Sequence, residues 1–597
     1  MGESLSKATK PEELVVFKKL PADIPLDNIE IPEKPENRSR TDRKFLIIFG
    51  VVILLLLPFL IHSMIMGDLA RWRGYDQCGN VCGQNNDKYN AWSCTGQDYT
   101  NKPYLQVYGS ADNLLLARRE CVYSCYENYI KIFSTCYARE SFSDDDSTAM
   151  QEKSKDLDDA DLSSYLNKHA WRIVLACFVS LGKFHGCLVI FSDEKLTSSF
   201  VGVGIGMVLL FKNATAAVVW GILGGVLLFG LIVVGVIWYM YFNIEKIIPN
   251  SEADSSQMGV LVMAIGFTVI WLVLLCVTIF MYKKVQLVIQ LFKEAIKASF
   301  AMPLLIFVPL ITFFCELIVL VLLGFTSAYI LTSGVLTQIT YDYLYYASNN
   351  VMNFTFFFNL IVAFWITQFI IGIQYMVIAG AVAKWYWSKN KQDLGKPIST
   401  SARVVFKFHL GSIAFGSMVI TVVAIIRALL SSLAKNNNLK ACVDLCMGSI
   451  ESFVKFLSKN SYILTAMHGK PFFKSGKRAA KIIFHNAVNI ASVNYVGDFV
   501  LGMAQLLIVL ISMLITVGIM QGADSEYSWM VYLIVFFVSL FIAVTFFATF
   551  ETTVDTLFMC FCEDSLLNDG MSRPYAMSRD LMEFVENSKK LYGEKKD

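Results

Sequence analysis

The sequence predicts an all-α polytopic membrane protein of about ten transmembrane helices, with a large disulfide-rich extracellular loop between the first two. Three observations carry this expectation. The 597 residues are 55% hydrophobic and only 17% charged, with a mean hydropathy of +0.51. The apolar residues are gathered in blocks of roughly twenty or more, the length that crosses about 30 Å of hydrocarbon as a helix. Lipid offers the backbone no hydrogen-bond partner, so helix is the form such blocks take. Finally, eight of the fourteen cysteines fall between the first two blocks. A net charge of +2 with no long basic run argues against a nucleic-acid partner.

Taken in order, residues 1–44 form a cytosolic N-terminal segment. Its opening MGESLS fits the N-myristoylation pattern at Gly2, a short pattern that chance also supplies, and a free acetylated or cleaved N-terminus is the expectation. The first helix, 45–66, starts too far along and runs too long for a cleaved signal peptide, so it reads as a signal anchor. Residues 67–196 make the extracellular loop, with Cys78, Cys82, Cys94, Cys121, Cys125, Cys136, Cys177 and Cys187. An even set in an external segment reads as up to four disulfides, of open connectivity. The spacings of Cys78 with Cys82 and of Cys121 with Cys125 also suit zinc; the external position favours disulfides.

Residues 197–560 form the helix bundle. Its clear blocks are 216–242, 259–282, 303–329, 356–387, 409–430, 499–520 and 529–550. Two further spans are weaker. The block 200–211 is short and stops before Lys212 and Asn213, while 442–468 is studded with Asp444, Glu451, Lys455 and Lys459. Glycines at 202, 204, 206, 221, 224 and 225 read as close helix packing. The stretch 283–299 sets Val285, Val288, Ile289, Phe292 and Ile296 opposite its lysines, the pattern of a cytosolic amphipathic helix on the inner membrane surface. Residues 561–597 are a cytosolic C-terminal tail.

Orientation follows from basic residues in short loops, which stay in the cytosol. Arg38, Arg40, Arg43 and Lys44, then Lys283, Lys284, Lys293 and Lys297, then Lys389, Lys391, Lys396 and Arg403, then Lys474, Lys477, Arg478 and Lys481 mark cytosolic segments. Segments 245–257, 332–350 and 521–528 are poor in them and read as external. Both termini then lie in the cytosol, and only counting both weak spans keeps the alternation.

Several motifs occur in a set order: GYDQCGNVCGQNND (74–87), HLGSIAFGS (409–417), VKFLSKNSYILTAMHGKPFFKSGKRA (454–479), VNYVGDFVLG (493–502), VDTLFMCFCEDSLLNDG (554–570) and LMEFVENSKK (581–590). Together they resemble the choline transporter-like family of solute carriers over nearly the whole chain. The resemblance implies ten spans with cytosolic termini in the plasma membrane, an organelle membrane such as the mitochondrial being a second setting. It also implies uptake of choline, independent of sodium and exchanged against protons, with ethanolamine a second substrate. Two departures stand out: the second span is short for the family, and the large loop lacks a glycosylation sequon. The external Asn353-Phe354-Thr355 abuts a helix, so no glycosylation is expected.

Choline is a quaternary ammonium without an N–H donor, so aromatic faces should hold its head and one polar group its hydroxyl. At 100° per residue, Trp365, Gln368, Gly372, Tyr375 and Ala379 fall within about 80° of one another and Gln374 lies opposite. This stripe is the expected substrate-binding face, through Trp365, Gln368 and Tyr375. Plain packing is its rival, since glutamine between membrane helices contributes only about 0.6 kcal/mol. Glu316, in mid-span, is the expected proton- or charge-coupling group, because a carboxylate in hydrocarbon must face the bundle or water. Glu551 and Asp555 lie toward the inner end of the last helix, and helix-end or interfacial contacts are expected for Asp498 and Asp555. His409 and His468 flank spans at the cytosolic side, where packing or headgroup contacts are expected.

Nucleotide-binding, zinc-protease and nucleophile-elbow motifs are missing from the sequence, so no enzyme activity, cofactor or catalytic metal is expected. The leading reading is a secondary-active or facilitative choline transporter. A carrier of another organic cation, or a surface receptor or lipid-handling scaffold working through the external loop, are the alternatives.

Overall fold

The computed structural model describes residues 31–86, 90–91, 94–108, 118–132, 134–138, 197–243, 253–280, 282–340, 343–391, 394–434, 437–485, 487–520, 528–568 and 574–583. Cys177, Cys187 and Gly2 lie outside the described residues. The helices are α1 Arg43–Met66, α2 Thr197–Phe242, α3 Ala253–Phe280, α4 Tyr282–Ala301, α5 Phe307–Thr332, α6 Asn350–Trp387, α7 Pro397–Val404, α8 Leu410–Leu433, α9 Asn437–His468, α10 Phe472–His485, α11 Ala487–Met520 and α12 Ser528–Leu567. A single π turn, Val405–His409, joins α7 to α8. Among the described residues eight helical stretches are long and apolar enough to cross a membrane. The molecule is a mostly helical polytopic membrane protein.

α6 is the hub of the bundle, packing on α5, α8, α9, α12 and α1. Its start is fixed by Asn349, whose side chain accepts from the Met352 N–H at 2.6 Å and satisfies one of the first-turn donors. Gly372 marks the closest approach. A Cβ there would sit 2.7 Å from Ile413 Cγ2 of α8 and 3.3 Å from the Tyr462 ring of α9, so only glycine lets the three helices meet.

One end of the bundle carries the disulfide-bonded region. Strands β1 Tyr104–Tyr108, β2 Arg118–Val122, β3 Tyr129–Ile132 and β4 Thr135–Ala138 form a sheet ordered β2-β1-β4-β3, parallel only between β1 and β4. Cys78–Cys94, Cys82–Cys121 and Cys125–Cys136 are bonded. Asp76, within the Gly-Tyr-Asp run, organises the loop that leads there by accepting from Cys78 N, Asn80 N and Tyr99 Oη at 2.8–3.1 Å. A hairpin between α5 and α6, residues 335–347, docks on this region through Leu344 N to Gln77 O at 2.8 Å and Arg119 to Leu344 O at 3.0 Å.

The other end gathers both terminal segments. Glu33 N donates to Met467 O at 2.9 Å, and Met577 N donates to Asp564 at 2.9 Å. α4 lies at this end too, tied to the C-terminal segment by Lys297, 2.6 Å from Asp580. Its apolar side is not spread on a membrane surface: Val285, Val288, Ile289, Phe292 and Ile296 are buried against α12, α11 and α2. The amphipathic pattern reports a protein-covered face, because apolar periodicity alone does not tell lipid from protein.

The short block 200–211 is continuous with the following span in a single 46-residue helix, α2. Trp220 packs on Tyr282 with ring centroids 4.9 Å apart, which puts the start of the Thr215–Phe242 span at the terminal end. The sheet ending at Ala138 is at the opposite end.

Candidate functional site

A cluster of charged side chains lies where α6, α9, α11 and α12 meet. Lys459 of α9 projects toward α12, with its Nζ 2.5 Å from Glu551 Oε1 and 2.5 Å from Asp555 Oδ2. The same ammonium stands 5.3 Å from the centre of the Tyr375 ring of α6. Asp498 of α11 is close enough to interact electrostatically with Lys459, Glu551 and Asp555, and Glu316 of α5 with Tyr375. Asp555 lies eight residues before Glu563 at the terminal end, about 12 Å along a helix, within the stretch Val535–Leu567 that is long and apolar enough to cross a membrane. The Lys459 and Asp555 side chains are only 11% and 14% exposed, whereas Glu551 is 41% exposed. The carboxylates thus outnumber the one lysine, and one side of the cluster is open.

Charges at such depth must be paired or wetted, since isolated ions in a low-dielectric medium are strongly disfavoured. Helix spacing produces the arrangement. Glu551 and Asp555 are four apart and share a face of α12, and Lys459 extends from α9 to bond both. Chemically, the site holds an ammonium between two acceptors, against an aromatic face.

A second buried group closes the terminal end of the bundle. Glu563, fully buried, accepts from Arg478 Nε at 2.5 Å and Nη2 at 2.6 Å and lies 3.1 Å from His468 Nε2. Burial works against the Arg478 charge and Glu563 outweighs it, holding the guanidinium above its usual range. Asp564 accepts from Tyr386 Oη at 3.0 Å and from Ala576 N and Met577 N.

Beside this group the N-terminal segment is bound by a directed chain of hydrogen bonds. Ser412 donates to Asp42 at 2.6 Å, so Thr41 must donate to Ser412 at 2.7 Å. Thr41 then accepts from His409 Nδ1 at 3.0 Å, and His409 Nε2 accepts from Arg38 at 3.1 Å. The ring is therefore neutral, with its proton on Nδ1. Burial lowers Arg38 to about 10, against the opposing pull of Glu33, so it remains a cation at neutral pH. Asp42 also accepts from Phe472 N at 2.8 Å and adopts a left-handed φ of 52°, one that aspartate tolerates better than most residues.

The face of α6 carrying Trp365, Gly372 and Tyr375 is turned to α8 and α9. Trp365 is buried, donates its indole N–H to Ser417 at 3.1 Å and meets Phe49 edge-on at 5.1 Å. Gln368 is half-buried one turn further along. Gln374 points the other way, accepting from Thr312 of α5. Trp365 and Tyr375 are ten residues apart, about 15 Å along the axis, so the structure brings only Tyr375 to the acidic cluster. Glu316 is half-buried at a similar depth. For Asp555 the helix-end expectation gives way to an ion pair inside the bundle, and His409 and His468 are buried in the networks described rather than set against headgroups. Lys459 is the residue that sequence reasoning passed over. Its signal was a lysine inside a helix long enough to span, which marks a functional candidate by default.

Residues 265–566 match a family described as plasma-membrane choline transporter. The chain is 29% identical over 616 residues to choline transporter-like protein 1 of Mus musculus, covering 93% of each. It is 26% identical over 614 residues to choline transporter-like protein 3 of Homo sapiens, covering 93% of this chain and 92% of that one. It is also 26% identical over 571 residues to choline transporter-like protein 2 of Dictyostelium discoideum.

Proposed function

Because the chain belongs to the plasma-membrane choline transporter family, we propose that it carries choline across the membrane, holding the cation at Tyr375, Glu551 and Asp555 in the place that Lys459 occupies. One observation carries this reading: an ammonium already lies over the Tyr375 ring and between two carboxylates. Choline has no N–H to give a carboxylate, so it is held by Coulomb attraction and by the ring, which contributes up to about 2 kcal/mol when the site is dry. Ethanolamine, a primary ammonium, donates to the carboxylates directly and is the second substrate of the same place. Trp365 and Gln368, further along the same face, line the route, and Gln368 offers an amide to the choline hydroxyl as it passes.

The coupling follows from charge. Lys459 alone does not neutralise Glu551, Asp555 and Asp498, so the cluster takes up a further monovalent cation. Choline and a proton compete for it, which makes exchange of one for the other the mechanism, with Glu316 the outlying acid that titrates with it and no sodium required. The protein acts as a carrier and not as an enzyme. Orientation is inferred from Lys389, Lys391, Lys396, Arg403, Lys474 and Lys477, which lie in segments joining the terminal end; that end, with both chain termini, faces the cytosol, and the disulfide-bonded region faces outward. The test is uptake of labelled choline into proteoliposomes under imposed pH and sodium gradients. An outward proton gradient should drive accumulation and sodium should not. Absence of choline uptake by protein that is correctly folded would refute the reading.

A further inference from the structure

The membrane-surface helix that the sequence places at α4 has its counterpart in α10. At 100° per residue, Phe472, Ser475, Ala479, Ile482 and Ile483 share an arc of about 100°, and all five are buried. Phe473, Lys474, Lys477, Lys481 and Phe484 share the opposite arc. There Phe473 and Phe484 are 72% and 69% exposed, Lys474 and Lys477 are exposed, and Lys481 is half-buried. A chain of rings sets the level of this helix. Phe472 packs on Phe415 with centroids 5.3 Å apart, and Phe415 stacks at 4.0 Å on Phe45, in the first turn of α1. α10 therefore starts level with the beginning of the first membrane-capable stretch. Toward its other end Phe484 lies 6.4 Å from the ring of Phe453 on α9, itself exposed, so the outward face of α10 continues onto an apolar outer side of the bundle.

The outward lysines are uncommitted. Residues 469–497 contain five Lys and Arg residues and no Asp or Glu. Arg478 belongs to Glu563, and among the described residues Lys474, Lys477 and Lys481 pair with no carboxylate. Asp42 accepts from Phe472 N at 2.8 Å, which sets the exposed Arg43 and Lys44 beside the start of the helix. Phenylalanine rings exposed to water and ammonium groups exposed to hydrocarbon are both unfavourable. One surface satisfies both, the boundary of a leaflet, where rings enter the acyl region and long basic side chains reach the headgroups. Unpaired positive charge at that boundary draws acidic headgroups, by about fivefold in binding for each lysine.

We propose that the outward face of α10 binds acidic phospholipid of the inner leaflet, with Phe473 and Phe484 seated among the acyl chains and Lys474, Lys477 and Lys481 on the phosphate and carboxylate groups of the heads. The same helix holds Glu563 of α12 through Arg478, and a Cβ at its Gly476 would stand 3.1 Å from Ser461 Oγ of α9. The lipid contact thus fixes a helix that braces both α9 and α12. This inference rests on the orientation given above, with the terminal end inward, and not on which cation is carried.

The experiment uses the full chain in phosphatidylcholine vesicles that carry a minor fraction of photoactivatable phosphatidylserine, with photoactivatable phosphatidylcholine at the same fraction as the comparison. Peptide mapping reads the crosslinks within 472–485 alone. Phosphatidylserine should crosslink there several-fold more than phosphatidylcholine, and high salt should reduce the excess. Lys474→Gln, Lys477→Gln and Lys481→Gln together should abolish the excess, whereas arginine at the same three positions should keep it. Phe473→Ala with Phe484→Ala should lower crosslinking by both lipids. In detergent free of phospholipid the triple glutamine protein should unfold at the parental temperature, since the three lysines pair with no carboxylate; should it fail to fold, Lys477→Gln alone, within the arc, is read in the same way and should lower the excess several-fold. Equal crosslinking by the two lipids, or an excess of phosphatidylserine that survives the glutamine substitutions, would overturn the proposal. So would crosslinks joining α10 to a second copy of the chain, which would make this face an oligomer contact.

Discussion

Replacing Lys459 with methionine tests the central site most directly, because the two roles open to this lysine have opposite consequences for ligand binding. Methionine keeps much of the side-chain length and removes the ammonium that stands 2.5 Å from both Glu551 and Asp555. Breaking a buried ion pair from one side costs about 3–5 kcal/mol; the 41% exposure of Glu551 puts this case toward the lower figure. The variant should therefore melt earlier than the parent. If Lys459 is a tethered competitor, however, its removal also frees the place above Tyr375. A charge-assisted hydrogen bond contributes about 1.5–3 kcal/mol, and each 1.4 kcal/mol is a factor of ten, so tetramethylammonium and choline should bind roughly ten- to a hundredfold more tightly. Turnover should fall at the same time, since nothing remains to displace the bound cation. The assay is equilibrium binding of labelled choline to detergent-purified protein, with thermal unfolding on the same samples. Lys459→Arg should retain near-parental binding. A folded Lys459→Met protein that binds choline no better than the parent, while losing stability, would show the lysine to be a structural staple and refute the competitor mechanism.

Tyr375→Leu should raise the choline KM roughly tenfold by removing the ring face. Trp365→Leu should raise it less, because Trp365 is committed to Ser417 and Phe49; a larger effect at Trp365 would move the holding site along α6. Glu316→Gln should flatten the pH dependence of uptake with normal surface expression, and an unchanged profile from pH 6 to 8 would remove Glu316 from the coupling. Unreduced peptide mapping should recover Cys78 with Cys94, Cys82 with Cys121 and Cys125 with Cys136. Closing the 39-residue Cys82–Cys121 separation contributes about 4 kcal/mol in the chain-entropy account, so Cys82→Ser should reduce surface expression; free thiols at these six positions in the parent would contradict the pairing.

The rotation of α6 is legible in the sequence because it depends only on the 100° step: Gln374 opposes Tyr375's face, and the structure bonds it to Thr312 of α5. Which helices stand beside that face is a different matter. Lys459 and Glu551 are 92 residues apart, and no local period records that α9 and α12 are neighbours. In sequence, Lys459 reads as one more charge in a weak span, and its pairing with Asp555 exists only once the helices are packed. The eight cysteines point to a covalently stapled region without revealing that six of them frame a small sheet. For α4 the apolar stripe is plain and its partner is not, since lipid tails and the side chains of α12 satisfy the same pattern.

The last helix has a bearing on how the protein is made. Glu551 and Asp555 receive Lys459, Glu563 receives His468 and Arg478, and Asp564 receives Tyr386, all from one helix that leaves the ribosome after these four side chains. Until α12 arrives, α9 holds a lysine at membrane depth with no carboxylate from that helix to meet it, and a nascent chain in this condition is poorly suited to lipid. Biosynthesis should thus proceed through a long-lived intermediate in which α9 is sheltered by the insertion machinery or by a chaperone. Chains ending before residue 551 should be retained and degraded, even though most of their spans have already been translated.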